Sequence, residues 1–245
     1  MRTSCLIRIF LRSLLIQSSF NFWRMQNLGF AFVMIPLIRK CRGDEGRVSR
    51  MLVRHLQGFN THPYLSGPVI GSVVKLEETA EDNHGGQDII EVKNALMGPY
   101  AAIGDTFFWG AWRPFSVIAA VILAIEGIIL APIMFLLIYN PLHFWVRMKG
   151  FIEGYRRGTE GIHFVSAMNL PGLAGKVRWL SLVMLGILAA LVTQRTGHAL
   201  SGTPEIITSA FTLTAILLCF WMIKKGVSPL RLLYGMMALF TLVSL

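Results

Sequence analysis

The segment from Asn94 to Pro114 is mostly apolar and lies directly before the longest apolar run of the chain, yet residues that break helices interrupt it. These residues are Gly98, Pro99, Gly104, Gly110 and Pro114. Proline cannot donate to the hydrogen-bond ladder of a helix, and glycine costs about 1 kcal/mol in a helix interior. The pattern predicts a broken helix, which at membrane depth persists only where protein or a water-filled cavity surrounds it.

Asp105 lies inside this interrupted segment. A carboxylate among apolar residues and helix breakers is typical of the polar lining of a transport site. The alternative is a helix–loop–helix at the membrane surface, in which Asp105 caps a helix that begins at Thr106.

The composition of the 245-residue chain indicates an integral membrane protein, because 54% of its residues are hydrophobic and only 15% are charged, against about 25% charged in soluble domains. The formal net charge of +10 is carried by the segments between apolar runs, as is usual for cytoplasmic loops. We expect no nucleic-acid binding, because no basic patch interleaved with aromatic residues is present.

The sequence contains no pattern that indicates catalysis or a cofactor. A glycine-rich phosphate loop, a nucleophile elbow and metal-binding histidine spacing are all missing from it. The three cysteines, Cys5, Cys41 and Cys219, are too far apart to suggest a zinc site or a disulfide framework. We therefore expect no catalytic residue, metal or cofactor, although an intramembrane enzyme using Asp105 with Glu126 or a histidine stays open as a hypothesis.

Residues 1–54 are predicted to form amphipathic and re-entrant helices with a basic connector. Arg8 and Arg12 share one face of a helix that we expect to lie uncleaved at the membrane interface. The 11-residue apolar run Leu28–Ile38 is too short to span, since spanning needs about 20 residues, and a re-entrant or interfacial segment is expected. Residues 39–54 contain six basic and two acidic residues. This composition predicts a cytoplasmic loop or a short surface helix.

Residues 55–146 are predicted to form a core of broken helices and an apolar hairpin. Asn60-Thr61-His62-Pro63 is a predicted break, because Pro63 disfavours helical backbone at His62 and the Asn60 and Thr61 side chains can cap the next helix. A solvent loop is expected over residues 79–88. A turn at Glu126-Gly127 keeps that glutamate away from the bilayer centre, where it would cost about 2.5–3.5 kcal/mol.

Residues 147–178 are predicted to be a cytoplasmic connector, and residues 179–245 are predicted to form C-terminal transmembrane helices. The basic loops 143–178 and 224–226 should lie inside and Leu245 outside. The expected fold class is therefore an all-α integral membrane protein with broken or re-entrant helices and hairpins, followed by C-terminal transmembrane helices. The polar residues at the breaks are Asn60, Thr61, His62, Glu77, Glu78, Asp105 and Arg113.

A series of short strings gives the chain a family resemblance over roughly residues 10–160. They are Phe10-Leu11-Arg12-Ser13, Gln17 to Asn21, Arg24-Met25-Gln26-Asn27-Leu28-Gly29-Phe30, Arg54-His55-Leu56, Phe59-Asn60-Thr61-His62-Pro63, Gly67-Pro68, Leu76-Glu77-Glu78, Leu96-Met97-Gly98-Pro99, Ile103-Gly104-Asp105, and Phe108-Trp109-Gly110 with Arg113-Pro114. In order and spacing they resemble the IID subunit of the mannose/fructose/sorbose-family sugar phosphotransferase system.

The resemblance implies a non-phosphorylated, multi-pass subunit of the bacterial inner (plasma) membrane that works with a IIC membrane subunit. The pair carries a sugar across the membrane, IIA and IIB phosphocarrier proteins supply the phosphate, and IIB phosphorylates the sugar. Trimers of IIC–IID pairs, surrounded by membrane lipids, are implied as well. By resemblance, the sugar-binding and translocation residues are Asn60, Thr61, His62, Glu77, Glu78, Asp105 and Arg113, and the structural motif comprises Pro63, Gly98, Pro99, Gly104 and Gly110.

The chain also departs from the family pattern. Val177-Arg178-Trp179-Leu180 stands where a Thr-Glu-Gly-Ala-like sequence is usual, and residues 195–205 form a short loop. The alternative is therefore a degenerate membrane-bound interaction or regulatory subunit that has lost transport. The sequence does not identify the sugar.

Overall fold

The computed structural model describes residues 1–80, 85–199 and 205–244, and these residues are almost entirely helical, without a β-sheet among them. The chain divides into two compact units, Met1–Leu182 and Val183–Leu245. Leu245, which was predicted to lie on the side of the membrane opposite the cytoplasm, is not among the described residues.

The first unit begins with α1 (Thr3–Ser13) and α2 (Asn27–Ile38). Helix α2 is the short apolar run that was predicted to be re-entrant or interfacial. Its side chains Phe30, Val33 and Met34 are fully buried, because α1, α3 and α4 pack around it. The run therefore forms a core helix on one side, while its Leu28 and Phe32 side chains are exposed.

A 3₁₀ turn (Arg39–Cys41) and helix α3 (Glu45–His55) form the basic connector, which confirms its interpretation as a short surface helix. Asp44 is the N-cap of α3, and its carboxylate accepts a hydrogen bond from Arg47 N at 2.8 Å. Met51 and His55 are buried.

Helix α4 (Ser66–Thr79) follows the break at residues 60–63. The predicted caps are wrong: the residue before α4 is Leu65, and no side chain caps the helix. Ser66 Oγ instead donates to Pro63 O at 2.8 Å, so the turn is closed from inside the helix. The predicted loop 79–88 lies partly outside the described residues, and α5 already begins at Gly85.

The interrupted segment is continuous helix in the structure. Helix α5 (Gly85–Gly104), a π-helix (Asp105–Trp112) and α6 (Arg113–Ile125) follow one another without a loop. The predicted break at Gly98-Pro99 is therefore wrong, and the disturbance is confined to a wider helical turn. The physical reason is that Pro99 removes one hydrogen bond, whereas a complete break exposes several backbone groups, each costing several kcal/mol away from water. The alternative, in which Asp105 caps a helix that begins at Thr106, is wrong as well, since the helix continues through Gly104 into the π-helix and no side chain caps it.

The predicted turn at Glu126-Gly127 is confirmed. Helix α6 ends at Ile125 and α7 (Ala131–Arg157) begins after a short turn. Gly127 has φ +84°, the left-handed conformation that glycine adopts without steric cost. Helices α6 and α7 pack against each other as a hairpin.

Helix α7 extends well beyond the predicted hairpin and packs along α4. Gly67 and Gly71 of α4 face the α7 backbone, and a Cβ at either position would overlap it. Gly150 and Gly154 of α7 face α4 in the same way. Residues 147–157, predicted to belong to a connector, are thus part of the helical core, because glycines on both helices allow close approach.

A 3₁₀ turn (Gly158–Ile162) and the short α8 (His163–Ala167) lead into α9 (Leu170–Ala199). Helix α9 starts in the first unit and continues into the second, which also contains α10 (Glu205–Lys224) and α11 (Pro229–Ser244). Within the described residues, two helical stretches are long and apolar enough to cross a membrane, Gly86–Ile125 and His163–Arg195.

Candidate functional site

The site is organised by a short non-helical stretch, residues 59–63, that a glutamine holds in place. Gln26 Oε1 accepts a hydrogen bond from Thr61 N at 3.1 Å, and Gln26 Nε2 donates to Thr61 O at 2.7 Å. Gln26 N also donates to Phe59 O at 2.8 Å. Asn60 lies between these anchored residues with its side chain exposed, so its amide is presented from a fixed backbone.

His62, the next polar residue, joins this stretch to the interrupted helix. Its side chain is buried and packs directly on Gly104, where a Cβ would overlap the imidazole. The imidazole ring stacks on Phe108, with ring centroids 5.4 Å apart, and lies 4.7 Å from Trp109. Gly104 is therefore needed as a contact surface for a histidine, which explains a helix breaker in a continuous helix.

Three of the predicted residues are exposed around this contact. Asn60 is two residues from His62, and Asp105 directly follows Gly104 at the start of the π-helix. Arg113 is exposed two turns further along, where α6 begins. The structure thus brings the Asn60–His62 and Asp105–Arg113 groups to neighbouring elements.

Sequence reasoning missed a row of polar and aromatic side chains on α7 that extends this site. His143 stacks on Tyr64 with ring centroids 4.1 Å apart, and Tyr139 Oη donates to Tyr64 Oη at 3.2 Å. Arg147 lies 5.6 Å from the Tyr64 ring and donates to Ser13 O at 3.3 Å. The positions 139, 143 and 147 are spaced by four, which places them on one helical face, and this spacing was the available signal.

His62 and His143 each have one hydrogen-bonding neighbour. Tyr64 N donates to His62 Nδ1 at 3.2 Å, so the proton of this imidazole is on Nε2. His143 Nε2 lies 2.9 Å from Asn140 Oδ1. Neither His62 Nε2 nor His143 Nδ1 has a partner in the described part of the chain. Buried polar atoms of this kind normally pair, so the region can accommodate a further polar group.

Arg178 of α9 donates hydrogen bonds to the backbone of the π-helix. Pro114 has no N–H, so it donates no backbone hydrogen bond where the π-helix passes into α6. Arg178 Nε donates to Gly110 O at 3.2 Å, and Arg178 Nη2 donates to Thr106 O at 3.2 Å. One guanidinium therefore holds two backbone carbonyls of the π-helix.

The structure places Glu77 and Glu78 elsewhere. They lie at the far end of α4, about 16 Å along the helix axis from its start near His62. Glu77 is buried and accepts a hydrogen bond from Arg54 Nη1 at 2.5 Å. His55 Nε2 is 3.0 Å from the same oxygen, without an aligned hydrogen bond. Glu78 accepts a hydrogen bond from Tyr155 Oη at 2.6 Å.

Glu77, Arg54 and His55 form a buried ionic cluster. Burial alone would raise the pKa of the Glu77 carboxyl, but the neighbouring His55 ring and Arg54 guanidinium outweigh it and hold that pKa below its ordinary value. Burial lowers the pKa of His55 below 6.5, and the nearby Glu77 offsets this only in part.

The residue types at this site suit a neutral polar molecule. Aromatic rings with a few hydrogen-bonding groups are the usual lining of small-molecule sites, and the carboxylate of Asp105 accepts while the Asn60 amide both donates and accepts. Among the described residues, no group of three or more histidine, cysteine, aspartate or glutamate side chains could hold a metal ion.

The fold and the site define a helical, apolar membrane protein with a polar site on its interrupted helix. A family model described as "PTS system mannose/fructose/sorbose family IID component" matches residues 1–245. The chain belongs to this family, which confirms the resemblance drawn from its short strings.

Individual relatives agree with this membership. The chain is 32% identical over 246 residues to "Fructose permease IID component" of Bacillus subtilis (strain 168), covering 93% of this chain and 90% of the relative. It is 32% identical over 249 residues to "PTS system mannose-specific EIID component" of Escherichia coli (strain K12), covering 93% and 87%. It is 31% identical over 253 residues to "PTS system sorbose-specific EIID component" of Klebsiella pneumoniae, covering 96% and 92%.

Two solved structures share the fold. One, titled "Structure of membrane protein", has a TM-score of 0.75 at 28% identity and covers 98% of this chain and 95% of its own. The other, "CryoEM Structure of Mannose Transporter ManYZ and Microcin E492 (MceA) complex", has a TM-score of 0.60 at 28% identity with the same coverage. These comparisons favour the transport subunit over the degenerate regulatory protein.

Proposed function

We propose that this chain and a IIC subunit together form the path by which a sugar crosses the inner membrane. In this proposal the chain has no catalytic residue and is not phosphorylated. The IIA and IIB proteins carry the phosphate, and the sugar is phosphorylated by IIB as it emerges. The membrane subunits assemble as trimers of IIC–IID pairs, and this chain crosses the membrane several times.

The observation that carries the proposal is the packing of His62 on Gly104. This contact fixes the stretch that presents Asn60 against the helix that presents Asp105. Both exposed side chains therefore belong to one rigid arrangement, with Trp109, 44% exposed, beside them. An aromatic face next to an amide and a carboxylate suits the hydroxyl groups and C–H faces of a sugar.

The seven predicted sugar-binding residues divide into three roles in this proposal. Asn60, Asp105 and Arg113 contact the sugar directly. Thr61 and His62 position Asn60 and the π-helix, because both are buried. Glu77 and Glu78 stabilise the far end of α4 and make no contact with the sugar.

The test measures sugar uptake and the yield of assembled complex in the same membranes, with the IIC partner coexpressed. Asp105→Asn and Asn60→Ala should each lower uptake about tenfold or more while yield is unchanged, since a hydrogen bond to a charged group contributes about 1.5–3 kcal/mol. Glu78→Gln is the matched control and should retain uptake. Normal uptake in both site variants would exclude the two residues from the site, and lost yield with normal uptake per complex would make them structural.

A further inference from the structure

Lys93 of α5 is a buried lysine that lies against two aromatic rings. It is 1% exposed, and its Nζ atom is 4.7 Å from the centroid of the Phe30 ring and 5.6 Å from that of the Phe59 ring. The two rings contact each other, with their centroids 4.6 Å apart. Lys93 Nζ also donates a hydrogen bond to Gln57 O at 3.3 Å. The amino group is therefore held by two rings and one backbone carbonyl.

This environment satisfies the amino group of Lys93 only in part. A lysine amino group has three N–H donors, whereas Gln57 O is its single hydrogen-bond acceptor among the described residues. None of the ion pairs formed within these residues includes Lys93. The aromatic faces attract a positive charge, yet burying a lysine without a carboxylate costs free energy. An apolar side chain would fill the same space at a lower cost, so packing alone does not explain a lysine here.

The contacts of Lys93 fasten α5 to the stretch that carries Asn60. Gln57 and Phe59 lie just before Asn60 in the chain, and Lys93 contacts both of them. The same stretch is also held by Gln26, directly before α2, whose N–H donates to Phe59 O at 2.8 Å. The backbone that leads into Asn60 is thus fixed both by α5 and by the start of α2.

Helix α5 makes a second contact with this stretch further along its length. Gly104 packs on His62, about 16 Å along the helix axis from Lys93 at a rise of about 1.5 Å per residue, and Asp105 follows directly. The two contacts lie on either side of Asn60 in the chain, so together they determine how the stretch runs along the helix. Loss of the contact at Lys93 would free Asn60 to move relative to Asp105.

We propose that Lys93 is a positioning residue of the sugar site. It holds the residues before Asn60 on α5 and thereby sets the separation between the Asn60 amide and the Asp105 carboxylate. Because Lys93 is buried, it does not contact the sugar itself. The inference rests on the proposed function, since it takes Asn60 and Asp105 to be groups that bind the sugar.

The experiment compares the parent complex of this chain and IIC with two variants that each lose one lysine. Lys93→Met replaces the buried amino group by an apolar chain of similar length, and Lys149→Met makes the same change at an exposed lysine of α7. We expect Lys93→Met to raise the KM for sugar uptake about tenfold, as for the loss of one charge-assisted hydrogen bond, with the maximal rate within about twofold. Its thermal unfolding midpoint should equal or exceed that of the parent, because an apolar side chain costs less to bury. Lys149→Met should match the parent in all three quantities.

A distance measurement reports the position of the stretch without involving the sugar. Spin labels are attached at Gly58→Cys in the stretch and at Ala102→Cys in α5, two exposed positions, after the other cysteines of the complex are replaced. A Cβ at Gly58 meets no neighbouring atom within 4 Å, so a side chain fits there. Lys93→Met should broaden or shift the distribution of distances between the labels, and Lys149→Met should leave it as in the parent.

The outcomes separate this inference from the proposed function. A changed distance distribution together with a raised KM supports both. A changed distribution with the parent KM supports the contact made by Lys93 but removes Asn60 and Asp105 from the sugar site, which overturns the proposed function. An unchanged distribution, or a lowered unfolding midpoint with a proportional loss of maximal rate, overturns the positioning role of Lys93. If Lys93→Met fails to assemble, Lys93→Gln, which keeps a polar end group at a shorter reach, is judged by the same outcomes.

Discussion

Gly104 shows how one small residue sets the geometry of the site. Its neighbour across the interface is the Cβ and ring of His62, with no room for a further methyl group. Gly98, six residues earlier in the same helix, faces open space, since a Cβ added there would meet no neighbouring atom within 4 Å. Of these two glycines, packing requires only Gly104.

This difference gives a matched pair of substitutions. Gly104→Ala should destabilise the protein by about 1–3 kcal/mol, because overpacking forces His62 to move, and should lower sugar uptake as Asn60 and Asp105 separate. Gly98→Ala should be neutral or stabilise by up to about 1 kcal/mol, through helix propensity alone. Thermal unfolding of the complex and uptake measure the two effects, and equal effects of the two variants would contradict the packing argument.

The buried pair of His55 and Glu77 makes stability depend on pH. Charged groups face His55 from two directions, Arg54 on its own helix and Lys93 on α5, in addition to Glu77 on α4. Because the pKa of His55 is lower in the folded than in the unfolded chain, the unfolded chain binds more protons between those two pKa values. Stability therefore rises with pH through this window and falls on acidification.

We expect His55→Gln to reduce the stability lost between pH 7.5 and pH 5.5 by up to about 1.4 kcal/mol, the contribution of one histidine that stays neutral when folded. Unfolding midpoints of the purified complex at several pH values provide the measurement. His163→Gln, at an exposed histidine, is the control and should follow the parent profile. If His55→Gln had the same pH profile as the parent, His55 would not contribute to the pH dependence of stability.

At the scale of elements, a proline and an arginine from different helices act together on the π-helix. Pro114 donates no backbone hydrogen bond to the end of the π-helix, and Arg178 Nε of α9 donates one to Gly110 O. The same guanidinium reaches Thr106 O, almost one turn earlier. Arg178 therefore positions the segment that carries Asp105 without contacting the sugar itself.

Removing this support should loosen the π-helix. We expect Arg178→Ala to destabilise the complex by about 1–3 kcal/mol, the range for hydrogen bonds to a charged donor, and to raise the KM for uptake more than it lowers the maximal rate. Arg178→Lys should recover part of both. Lys176→Ala loses the same charge from the same helix and should match the parent; if it behaved like Arg178→Ala, charge alone would explain the effect.

At the scale of the whole molecule, the pattern of apolar runs predicts most of the helices and the α6–α7 hairpin. The hairpin is predictable because its turn needs two local features, a charged residue and a glycine at φ +84°. The continuity of the interrupted helix is not predictable from the same reasoning. Pro114 is a helix breaker in the sequence, whereas the hydrogen bond from Arg178, 64 positions away, to Gly110 O is formed only by the packing of α9.

The site follows the same division. Residues Asn60, His62 and Asp105 can be selected as polar groups at breaks, and Gly104 as a constrained position. The clamp of Gln26 on Thr61 and the stacking of His143 on Tyr64 join residues 35 and 79 positions apart. Such contacts depend on packing between helices, which local periodicity does not specify.

Two charged side chains are exposed on a helical stretch that is apolar enough to cross a membrane, where a subunit without its partner cannot keep them from lipid. Asp105 and Arg113 are exposed, and both belong to Gly86–Ile125, a stretch long and apolar enough to cross a membrane. A charged residue in lipid costs about 2.5–3.5 kcal/mol at the centre of a spanning helix. Protein from a partner subunit, or water in a path shared with it, removes that cost.

We therefore expect the chain expressed alone to be degraded or to aggregate, and coexpression of its IIC partner to rescue it. The yield of monodisperse protein after size-exclusion chromatography is the measurement. Neutralising both groups, Asp105→Asn with Arg113→Gln, should raise the yield of the lone chain while leaving the yield of the complex unchanged, because only the lone chain exposes them to lipid. A stable, monodisperse lone chain with its native Asp105 and Arg113 would refute this dependence, and a yield that rises equally with and without the partner would show that the two charges are exposed in the complex as well.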